Sequence, residues 1–171
     1  MRTHILPLVA MLVVALLLAG CGKSAEMKQM ESDLYASVTK AHDEGMALMN
    51  KANDMSAKVD EAIANFQKLA SDHPKETAGH SMDDLSTAKQ KLSAAVASMK
   101  EWMAGFKPYD ETMNHEEVMI QLNGAKEGVT KVKTSLEEAL TAATTAIDSH
   151  KTFADEIAAR FAKPAKKMVK K

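Results

Sequence analysis

With one cysteine, Cys21, the chain cannot close a disulfide on itself. Seven aromatic residues, seven glycines and four prolines in 171 positions leave an all-β domain without its usual strand and turn residues. No apolar run reaches the roughly 20 residues of a comfortable membrane span. There is no glycine-rich phosphate loop, no paired-histidine helix motif and no dense Met-x-Met run. The acids are scattered at spacings that suit solvated helix faces and i,i+4 pairs with lysine, so no catalytic constellation is expected. Residues 21–159 carry 15 Lys/Arg against 23 Asp/Glu, a balance of −8, whereas residues 160–171 carry six cations and no acid. An acidic body with a short basic tail is not a nucleic-acid footprint.

What is present begins with an apolar run from Ile5 that closes on Leu18-Ala19-Gly20-Cys21, behind the short lead of Arg2 and His4. About 15 apolar or small residues make a signal-peptide core. Small Ala19 and Gly20 suit a peptidase, and Cys21 stands where a thiol would take a diacylglyceryl group. This is the lipobox pattern of bacterial lipoproteins. It predicts residues 1–20 as a cleaved signal peptide, residues 21–25 as a lipidated N-terminus and linker, and a membrane as first partner. Each buried acyl CH₂ would contribute about 0.8 kcal/mol. Gly22 after the cysteine points to the outer membrane under enterobacterial sorting.

The remainder, residues 26–162, reads as one all-α domain of three long antiparallel helices in a coiled-coil-like bundle, followed by a basic tail at 163–171. The first helix, about 26–70, carries Met30, Leu34, Val38, Ala41, Gly45, Leu48, Ala52, Met55, Val59, Ile63 and Phe66 at three- and four-residue steps. The second, about 81–106, follows a loop with Pro74 and Gly79, and Ser81 with Asp84 suggests a capping box. The third, about 112–162, has the cleanest seam: Val118, Leu122, Ala125, Val129, Val132, Leu136, Ala139, Ala143, Ala146, His150, Phe153 and Ile157. Its alternating steps of four and three are the 3.5 period of left-handed supercoils. Gly124 and Gly128 mark a point where it could kink, and Asn114 with Glu117 offers a second capping pair.

Hairpin arithmetic sharpens this picture. A second helix of roughly 37 Å folded against first and third helices near 70 Å would bring Phe106 level with residue 45, where the third helix would begin. Residues 26–41 and roughly 145–162 would then overhang with uncovered seams. Leu34, Val38, Ile147, Phe153 and Ile157 are the partner-facing candidates, for a second copy or another envelope protein. An Asp at Phe153 should then reduce association more than melting temperature, and His150 should belong to an exposed or partner-facing end.

Eleven methionines follow residue 20. Methionine on a seam is first a gap-filling core residue. The same arithmetic nevertheless brings His42, Met46, Met49, Met103, His115 and Met119 to one level, and thioether with imidazole is a soft donor set suited to Cu(I). No cofactor is expected on the leading reading; copper binding is the alternative.

Val38-Thr39-Lys40-Ala41-His42-Asp43-Glu44-Gly45-Met46 and Trp102-Met103-Ala104-Gly105-Phe106 resemble two motifs, V-x-x-x-H-D-E-x-M and W-M-x-x-F, of small helical lipoproteins of Bacteroidota, some of them labelled viral A-type inclusion protein repeat. A third heptad helix follows in that family too, although Gly45 stands where a larger aliphatic residue is more usual. The resemblance implies a bacterial envelope origin and a helical bundle, and carries no activity. In plan alone, an N-terminal lipid, heptad helices and a C-terminal lysine look like the Braun-type lipoproteins that tie the outer membrane to peptidoglycan. The sequence therefore points to a non-enzymatic lipid-anchored envelope protein with a structural or protein-binding role. A tether touching peptidoglycan or anionic lipid through the basic tail is a further alternative.

Overall fold

The computed structural model describes residues 22–110 and 112–162. The expected signal segment, Cys21 and the tail at 163–171 lie outside the described residues. Those described form three helices, α1 (Ala25–Asp72), α2 (Asp83–Gly105) and α3 (His115–Phe161), with no strand among them. They pack against one another as an up-down-up bundle, so α1 and α3 run in the same direction and α2 against both. No helix of the described residues is long and apolar enough to cross a membrane.

A strict heptad organises the long pair. Along α1 the positions Glu31, Val38, Gly45, Ala52, Val59 and Phe66 are all buried. Along α3 the corresponding series from Leu122 is Val129, Leu136, Ala143, His150 and Ile157, again all buried. His115 lies beside Glu31 and His150 beside Phe66, an offset of 84 residues at both ends. A seven-residue repeat shared by two helices without slippage is what a left-handed supercoil requires. α2 adds Leu85, Ala88, Leu92, Ala95 and Met99 to the same core. Each fully buried leucine stabilises the fold by roughly 1.5–3 kcal/mol.

Small seam residues set the helix spacing. Gly45 is buried, and a Cβ there would collide with the Met99 methyl, so glycine at this position lets α1 and α2 approach closely. Gly128 faces Trp102, whose Cδ1 would lie 3.0 Å from an added Cβ. The indole Nε1 also donates to Ala125 O at 3.1 Å. α3 runs unbroken through Gly124 and Gly128, with the absent side chain of Gly128 replaced by the indole.

Two helix starts differ from expectation. Ser81 and Asp84 do not form a capping box. Met82 is the N-cap without a side-chain bond, Ser81 Oγ accepts from Asp83 N, and the Asp84 carboxylate turns to Leu85 N and His150. α3 begins at His115 because Asn114 and Glu117 form the reciprocal box, Asn114 Oδ1 accepting from Glu117 N at 2.9 Å.

The expected overhangs are filled. α2 does not reverse at once into α3. Phe106 is extended, and the connection continues along α1, with Phe106 and Tyr109 both packed on Tyr35 at 6.3 and 5.7 Å between centroids. Gln121 fastens it by donating to Lys107 O at 2.7 Å. α3 thus starts beside Glu31, about 20 Å further along α1 than residue 45. At the other end the 73–82 connection wraps the close of α3, with Thr77 buried and bonded back to His73 O.

Candidate functional site

Each end of the bundle closes on one buried polar side chain in the heptad seam. At the end next to Gly22 it is Glu31, 3% exposed. Lys23 Nζ lies 2.9 Å from Glu31 Oε1 and 3.0 Å from Oε2, and His115 Nδ1 lies 2.9 Å from Oε1. Against a carboxylate both nitrogens donate. Burial alone would raise the Glu31 pKa, but the hydrogen bonds and charges of Lys23 and His115 outweigh it and hold the carboxyl below its usual range. A residue two positions beyond Cys21 is thereby pinned to the start of α3. Beside this triad lies a cleft of about 660 Å³, bordered by Gly22, Met27, Lys28, Tyr109 and Met113.

At the opposite end the buried group is His150, 4% exposed, and its partner is the half-exposed Asp84 on α2, with Nε2 2.8 Å from Oδ1. Desolvation would raise the Asp84 pKa; the His150 hydrogen bond and the Leu85 N–H outweigh it and leave it lowered. His150 Nδ1 is buried with no hydrogen-bond partner among the described residues. Around the imidazole stand Phe66 at 5.2 Å and His80 at 4.8 Å, both edge-on. His80 in turn stacks on Phe153 at 3.8 Å and 6°. His73 packs on Phe161 at 4.4 Å. A second cavity, about 450 Å³, opens between α1 and α3 and is bordered by Ala62, Phe66, Ile147, His150 and Ala154. His150 is therefore a seam residue of a closed end, not of an exposed one: the 73–82 connection and the start of α2 supply what the sequence arithmetic left uncovered.

The partner-facing candidates move for the same reason. Val38 and Ile157 are buried, while Leu34, Ile147 and Phe153 are half-buried against their own chain. The six soft-donor candidates divide into two groups. Met49 is buried and Met46 and Met103 are half-buried in the central core, near His42, which stacks on Trp102 at 5.7 Å. His115 and Met119 instead begin α3 at the level of Glu31, about 16 Å along α1 from His42. Each histidine already has its Nδ1 against a carboxylate, Asp43 for His42 and Glu31 for His115. The longer connection that fills the overhang is also what separates the two groups. Among the described residues no cluster of three His, Cys, Asp or Glu is arranged to hold a metal ion.

Glu31 and His115 as a pair escaped the sequence reading, although the signal was there. Running each heptad back one step, from Val38 and from Leu122, lands on Glu31 and His115. An acid and a base at matching seam positions of two parallel helices are a pair in waiting. Comparison of the chain with protein-family models, with curated proteins and with solved structures returns no match.

Proposed function

We propose that this is a lipid-anchored protein of the bacterial cell envelope, a non-enzymatic rod that presents its far end to a partner, of the kind the Bacteroidota lipoprotein resemblance implies. The observation that carries the reading is Leu18-Ala19-Gly20-Cys21 followed almost at once by ordered structure: Lys23 is in the Glu31 pair and α1 starts at Ala25. A lipid on Cys21 would thus be joined to the bundle with almost no slack. Anchoring in the outer membrane belongs to the same proposal. Expression of the full chain in a bacterial host tests it. Cys21→Ser should abolish lipid incorporation and membrane retention; an unchanged mass and unchanged retention would refute the assignment.

One observation favours the tether form of this role. Because α1 and α3 are parallel, Ala162 lies at the opposite end from Gly22, about 70 Å away along α1. The basic tail follows Ala162 in the chain and so begins far from the anchor, which suits an anionic surface other than the anchoring membrane, such as the cell wall. Deletion of residues 163–171 should leave melting unchanged and reduce salt-sensitive binding to isolated peptidoglycan; equal binding would remove the tail from this role.

A further inference from the structure

We propose that the end face around Gly22 is a membrane-seating surface: it rests on the bilayer that holds the acyl chains of Cys21 and keeps the rod upright. This rests on the lipoprotein reading above.

Four large hydrophobics of the described residues are exposed, and two of them, Met27 and Met30, occupy the first two turns of α1. Met27 shares its cleft with half-buried Tyr109 and Met113 from the connection before α3. A tyrosine beside methionines suits the interface between headgroups and acyl chains. The occupant is fixed by where the chain comes from. Gly22 borders this cleft, and the residue before it is Cys21, so the anchoring lipid meets the protein here. Along α1, Met27 lies about 3 Å and Met30 about 8 Å from the helix start at Ala25, so both stand in the part of the rod nearest the anchored residue.

The contact is apolar in origin. Lys23 is committed to Glu31, and Lys28 is outnumbered by the first-turn acids Glu26, Glu116 and Glu117, so the face offers no net positive charge to a headgroup. Neutral phosphatidylcholine should therefore suffice. Two separate elements reach the face, the start of α1 and the 109–113 connection, and two supports resist tilting where one would act as a pivot. The Lys23–Glu31–His115 triad removes the hinge that would otherwise lie between lipid and bundle.

The test uses the full lipidated chain in phosphatidylcholine vesicles containing a headgroup-level nitroxide lipid. With the Cys21 thiol acylated, a fluorophore can be placed on a single new cysteine at Met27→Cys, or at Ala64→Cys, an exposed α1 position about 55 Å further along. Quenching should be several-fold stronger at residue 27 than at residue 64, and Met30→Cys should repeat the residue 27 result. Equal strong quenching at 27 and 64 would mean a rod lying flat and would overturn the proposal. Quenching at neither site, with the protein still floating with the vesicles, would mean a bundle swinging free and would overturn it too. Failure to float at all would instead refute the lipid anchor.

Discussion

The two ends of the rod solve one problem in opposite ways. Both place an ionisable side chain in a heptad seam, and on each long helix the two positions are 35 residues apart, five heptads. Next to Gly22 the carboxylate is buried and the imidazole partly exposed; at the far end the imidazole is buried and the carboxylate half-exposed. Glu31 has two donors on different elements, so losing one leaves the other. Among the described residues His150 has a single hydrogen-bond partner and one nitrogen without any. A buried group with redundant partners tolerates change; a buried group with one partner does not. The end near Gly22 is accordingly the more tolerant of losing a partner and the histidine- and phenylalanine-rich end the more vulnerable one.

The largest effect should come from charging the far end. Phe153→Asp would lose the stack on His80 and place an acid among Phe66 and His150. A loss of about 2–4 kcal/mol is expected in urea unfolding. A variant as stable as the parent would return Phe153 to the role of an uncovered, partner-facing residue.

Next, Asp84→Ala would strip the buried imidazole of its only partner and cost about 1–3 kcal/mol. Lys23→Ala, which leaves Glu31 its His115 contact, should cost less. Reversal of that order in thermal melts would break the comparison between the ends.

Acid should loosen both ends together. The folded-state pKa values of Glu31 and Asp84 are lowered, so their contributions are complete above the ordinary carboxylate range and disappear as pH falls through the lowered values. Unfolding free energy measured from pH 6 down to pH 3 should fall less steeply in a Glu31→Gln, Asp84→Asn double variant than in the parent. An identical slope would show that neither carboxylate is a closure point.

The smallest effects concern the middle of α3. Gly124→Ala meets no atom within 4 Å and should stabilise by up to about 1 kcal/mol, whereas Gly128→Ala must push Trp102 aside and should gain less or lose stability. Melting curves and the Trp102 emission maximum report both; equal gains would mean the indole does not rest on that helix face.

The helices and most of their seams were legible because burial at a 3.5 period leaves its mark on every turn, from Val38 to Phe66 and from Val118 to Ile157. The register between helices was not. It depends on the connection before α3, where Phe106 and Tyr109 run on along Tyr35, and helical periodicity says nothing about the path of extended chain. That one misplacement, about 14 residues on α1, produced the overhangs, the exposed reading of His150 and the single methionine–histidine layer. Asp84 was misassigned for a related reason: a local cap and a distant imidazole compete for the same carboxylate, and only the fold decides between them.

If both ends of the bundle close in one register, matched interhelix distances must agree between them. Spin labels on cysteines replacing Ser32 and Glu116 report the end near Gly22, and labels replacing Gln67 and Lys151 report the far end, in a chain carrying Cys21→Ser. Both pairs share the 84-residue offset of Glu31 with His115. Dipolar spectroscopy should give similar, short distances for the two pairs. Both pairs lengthened together, as an axial displacement of about 20 Å requires, would restore α3 to the level of residue 45, and the locked end would not exist.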